Sequence, residues 1–84
     1  MDELRKRQKI ISQLVEARLE QGISQAELAR RLGIQRSGIN RLESGTQNPT
    51  LDMILKIASA LGKDVSLELN DKEEPMSNVY SLRI

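Results

Sequence analysis

Apolar residues recur at helical spacing as far as Leu61 and switch to simple alternation shortly afterwards. Gly22, Gly33, Gly45 and Gly62 each follow a periodic run, at the place where a left-handed residue commonly ends a helix, so the pattern predicts four short helices. The first is expected from about Glu3 to Gln21, with Ile11, Leu14, Val15 and Leu19 inward and Arg5, Lys6, Arg7 and Lys9 on a solvated face. The second opens at Ser24, whose hydroxyl suits an N-cap. Glu27, three residues on, would complete a capping box, and Leu28, Ala29 and Leu32 form the buried stripe. So short a helix must pack on its neighbours to form at all. The third, about Gln35 to Ser44, carries only Ile39 and Leu42 as large apolar residues, which leaves most of its surface outward. The fourth begins at Thr50 after Pro49, has Asp52 near its positive end and aligns Leu51, Ile54, Ile57, Ala58 and Leu61.

Beyond Gly62 the alternation of Val65, Leu67 and Leu69 with Ser66, Glu68 and Asn70 predicts a half-buried strand. Four helices offer it no sheet edge. Its partner must be the alternation at Tyr80, Leu82 and Ile84 or, more economically, the same strand of a second copy. The expected organisation is one all-α domain over residues 1–62, a dimerisation strand over 63–70 built on Val65, Leu67 and Leu69, and a tail over 71–84.

Composition narrows the chemistry. Tyr80 is the single aromatic residue, so the core must be aliphatic, and the absence of cysteine fits a reducing, cytoplasmic setting. Histidine is absent too, which removes the commonest general base and, with cysteine, the usual transition-metal ligands. No enzymatic activity, cofactor or metal is expected, and no apolar run is long enough for a membrane span. The net charge of +1 is uninformative until it is divided along the chain. Residues 1–45 hold nine Lys and Arg against six Asp and Glu, whereas residues 46–84 hold four against six, so the basic character is local.

From Gln25 to Ser44 the spacing is that of two helices meeting at a tight turn. Ala29 is small where the helices cross, Gly33 makes the turn four residues later, and Ile39 anchors the second helix six residues after that. The segment QAELARRLGIQRSGINRLESG, with the following NPTLDMILKIASALG, resembles the helix-turn-helix of the phage-repressor-like Xre/Cro family over residues 8–62. The resemblance implies the lambda-repressor-like fold of four to five short helices, here with a C-terminal strand, and a transcriptional regulator that binds double-stranded DNA. It also implies that the third helix enters the major groove while the second crosses the backbone. Arg36, Ser37 and Arg41 match the base-reading positions, with Gln35 and Asn40 near enough to contribute, and Gln25 matches a phosphate-contacting position. In the loop after Gly45, Gln47, Asn48 and Thr50 can donate to phosphate without adding charge.

Two departures from the family pattern stand out. Gln35 occupies a helix start where Ser or Thr is common, which weakens the cap, and Gly38 lies inside the third helix. That glycine is explained either by close approach to DNA or by close packing on the second helix. Three readings fit the whole: a homodimeric repressor of a palindromic operator, an antitoxin, or a helix-turn-helix that serves only protein contacts and leaves the outward Arg and Gln residues incidental. The short domain with its added strand also resembles the HigA- and HipB-type antitoxins, which repress their own operon and neutralise a partner toxin enzyme. In that case Asp71 to Ile84 would be the interaction tail.

Overall fold

The structure is a computed structural model that describes residues 2–71. Four helices follow in chain order: α1 (Asp2–Glu20), α2 (Gln25–Leu32), α3 (Arg36–Ser44) and α4 (Leu51–Ala60). α2 packs on both α3 and α4, and α1 packs on α3. At the centre are Leu28, Ile39 and Ile57, one each from α2, α3 and α4 and each almost wholly buried. Ile11, Leu14 and Ala17 of α1, with Ile23, Ala29, Leu42, Ala58 and Leu61, complete an aliphatic core. The tight turn between α2 and α3 depends on Gly33, at φ 71°, a conformation in which a Cβ would clash with its own backbone. There the amide of Ile34 donates back to the Ala29 carbonyl at 3.0 Å, closing the end of α2.

Several expectations need correction. Leu19 is not on the inner face of α1: it is 62% exposed, and Arg18 lies inside at 7%. Leu51, expected on the buried stripe of α4, is 53% exposed, and in that first turn it is Met53 that packs against the core. The capping box at α2 is half made. Ser24 Oγ accepts from the Glu27 amide at 3.0 Å, but the Glu27 carboxylate turns instead to Arg30 and Arg31, at 2.6 and 3.0 Å.

Among the described residues there is no strand. Val65 packs against the core, whereas Leu67 and Leu69 are exposed, because one copy of the described chain supplies no backbone ladder for this segment. The alternative partner around Tyr80, and the tail over 72–84, lie outside the described residues. Among the described residues no helix is long and apolar enough to cross a membrane.

Candidate nucleic-acid interface

The face expected to meet a ligand is built by α3 and framed by the start of α2 and the loop before α4. Ile39 and Leu42 hold α3 to the core, so Arg36, Ser37, Asn40, Arg41 and Ser44 turn outward together. Gln35 caps the helix with extended backbone but no side-chain hydrogen bond, as its residue type implied. Its side chain is exposed beside Arg36. Neither Arg36 nor Arg41 forms an ion pair among the described residues. Arg41 Nε lies 3.4 Å from Gln47 Oε1, across the mouth of the following loop. From Ile34 to Leu51 the single acid is Glu43, and among the described residues no acid pairs with the outward guanidiniums of Arg36 and Arg41. Such a surface favours an anionic partner.

Glu43 is withdrawn by a network that extends from the core to this face. Arg18 Nε and Nη2 donate to the two Glu43 carboxylate oxygens at 2.7 and 2.8 Å, a bidentate pair with side-chain exposures of only 9% and 11%. Arg18 Nη1 also donates to the Ile23 carbonyl at 2.7 Å, so one guanidinium joins α1, the α1–α2 connection and α3. The same Glu43 Oε1 accepts from Gln25 Nε2 at 2.9 Å, and Asn40 Nδ2 reaches Gln25 Oε1 at 3.5 Å. Gln25 therefore sits at the edge of the α3 face with its carboxamide oriented by a buried ion pair. One of its amide hydrogens is left for an outside acceptor.

Sequence reading missed Arg18 and Glu43, although a signal was present. Arg18 falls four residues after Leu14 and seven after Ile11, and Glu43 falls four after Ile39. Each occupies a position on an apolar stripe, and two opposite charges so placed are each other's natural partners.

The loop that frames α3 on its other flank runs from Gly45, at φ 80°, to Thr50. Thr50 Oγ1 accepts from the Met53 amide at 3.1 Å and caps α4, so the hydroxyl keeps its own hydrogen for another acceptor. Gln47 and Asn48 are exposed. Between this loop and α3 lies a groove of about 370 Å³ floored in part by Ile34, Gly38 and Met53. Val65, Leu67 and Leu69 are not part of this face.

At α2, the Arg30 hydrogen bond, with that of Arg31, holds the Glu27 carboxyl below its ordinary value of 4.5. The associated stabilisation is present above that value and is lost as pH falls through the lower folded one. Because the pair is on the surface, the effect is small.

A helix-turn-helix family model matches residues 14–67. An uncharacterized HTH-type transcriptional regulator of Haemophilus influenzae is 38% identical over 58 residues, which are 69% of this chain and 59% of that protein. One of Methanothermobacter thermautotrophicus is 45% identical over 49 residues, covering 58% of this chain and 71% of that one. A chain of a solved toxin–antitoxin module from Streptococcus pneumoniae superposes with a TM-score of 0.65 at 39% identity, covering 82% of this chain and 76% of that chain. The matching model covers the turn at Gly33, the outward face of α3 and most of the core that holds it, and the chain belongs to the helix-turn-helix family of Xre/Cro-like transcriptional regulators.

Proposed function

We propose that the protein is a sequence-specific repressor that binds a palindromic operator as a homodimer, with α3 in the major groove. The observation that carries this reading is the outward face of α3, where Arg36, Ser37, Asn40 and Arg41 stand together with no acid paired to them among the described residues. In this reading Gln35, Arg36, Ser37, Asn40 and Arg41 meet base edges. Arg36 and Arg41 suit the O6 and N7 acceptors of guanine, because a guanidinium delivers two parallel donors. Gln25, Gln47, Asn48 and Thr50 donate to phosphate on either side and set the register of the helix in the groove.

The dimer is built by antiparallel pairing of Val65 to Leu69 about a two-fold axis. Support comes from what one copy leaves uncovered: Leu67 is 58% exposed and Leu69 fully so, while Leu51 and Leu55 of α4 are exposed as well. Pairing would satisfy both backbones and bring these apolar side chains together.

The test is selection from a randomised duplex pool. The wild-type chain should enrich a single motif. Arg36→Ala should relax preference at one base pair at a cost of about 1–3 kcal/mol, whereas Gln25→Ala should weaken all duplexes alike. Equal loss on operator and random DNA for both variants would remove Arg36 from the base-reading set.

A second reading is favoured by the Streptococcus pneumoniae neighbour, a toxin–antitoxin module. Under it the protein is an antitoxin that represses its own operon and binds a toxin through Asp71 to Ile84. Co-purification of the protein with the product of an adjacent reading frame, lost on removal of residues 72–84, is its expected result.

A further inference from the structure

Gly38 is a glycine that the fold itself does not ask for. It sits inside α3 without a positive φ. Among the described residues, a Cβ built there would meet only Ile34 Cδ1, at 3.7 Å, an ordinary van der Waals distance, and nothing of α2 within 4 Å. Close packing between the helices therefore does not explain it. Alanine would serve the helix better, since glycine loses the most backbone freedom on folding. Nothing among the described residues gives a reason for the missing side chain.

Its surroundings indicate where. Gly38 lies at the border of the outward and buried faces of α3, on the flank turned to the loop of Gln47, Asn48 and Thr50 rather than to Gln25. The groove between that flank and the loop is rimmed by Ser37, Arg41, Gln47, Asn48 and Thr50, and among the described residues no acid lines it. An α-helix with side chains is about 10–12 Å across and the DNA major groove about 12 Å wide, so a helix inserted there has its flanks against the two sugar–phosphate walls.

We propose that Gly38 is the point where one deoxyribose–phosphate strand of the bound duplex lies directly against α3, seated in the groove between α3 and the Gln47–Thr50 loop. The sugar occupies the space a Cβ would fill, and the rim supplies neutral and cationic donors to the adjoining phosphates. Gly38 is then a determinant of affinity by shape and reads no base. The inference rests on the DNA-binding reading above.

Gly38→Ala and Gly38→Val in the full chain test it. Dissociation constants would be measured on the selected operator and on a random duplex at one salt concentration, with thermal unfolding followed in parallel. The Ala variant should melt about 2–8 °C higher, yet bind both duplexes about tenfold more weakly, as expected for one carbon forced into a close-packed contact. The Val variant should bind more weakly still while remaining helical. Unchanged affinity in the Ala variant would overturn the proposal. So would a loss confined to the operator, which would mean that a base rather than the strand approaches Gly38. A wild-type chain that binds no duplex would instead overturn the functional reading, and this inference with it.

Discussion

Arg18→Ala is expected to lower the unfolding free energy by about 3–5 kcal/mol, a large fraction of the roughly 5–15 kcal/mol that holds a domain together. The substitution removes three hydrogen bonds and leaves the Glu43 carboxylate, 11% exposed, without its cation. The same change loosens the link from α1 to α3, so helix content and the orientation of α3 should fail together. Urea unfolding monitored by circular dichroism measures the loss. An Arg18→Met/Glu43→Leu double variant should recover much of it, because apolar residues of similar volume carry no desolvation penalty. Gln25 would then lose its acceptor, and the double variant should fold yet bind DNA less well. A loss below about 1 kcal/mol for Arg18→Ala would show that the pair behaves as a solvated surface bridge.

Leu67→Pro carries the second large effect, on assembly rather than folding. In the proposed dimer, a proline there would remove one ladder donor from the pairing segment and restrict its backbone. Because Leu67 is exposed and lies outside the helices, helix content should be unchanged. Sedimentation at low micromolar concentration should show a dimer for the wild type and a monomer for the variant. Operator affinity should fall about 10²-fold or more, since the second half-site is then no longer engaged at high effective concentration. Footprinting should change in step: two half-sites centred about 34 Å apart for the wild type and no stable protection for the variant. A Leu67→Pro protein that remains dimeric would place the dimer interface elsewhere.

The helices and their ends were legible because they depend on local chemistry. Gly33 and Gly45 mark their turns, Ser24 and Thr50 cap the helices that follow, and Gln35 stands at the cap of α3 without a side-chain hydrogen bond, the weaker cap its residue type implied. The outward face of α3 was legible for the same reason: with only Ile39 and Leu42 to bury, the remaining polar residues had one side to occupy. Long-range pairing was not legible. Arg18 and Glu43 are 25 residues apart, and periodicity treats any charge as outward, so Leu19 was assigned the place that Arg18 holds. The Glu27 carboxylate had a local alternative to the cap in two arginines, one turn on, that a pattern of helix starts does not weigh. The Val65 to Leu69 alternation is a statement about a surface needing a partner, and the described residues of one chain do not supply it.

The central claim, that the outward face of α3 meets DNA, is tested most directly by mapping amide chemical-shift changes as the selected duplex is titrated into the labelled wild-type protein. The account predicts the largest changes at Gln35, Arg36, Ser37, Asn40 and Arg41, with a second set at Gln25 and from Gln47 to Thr50, and little change along the exposed side of α4 at Leu51 and Leu55. Changes concentrated on α1 or α4, with α3 unmoved, would contradict it.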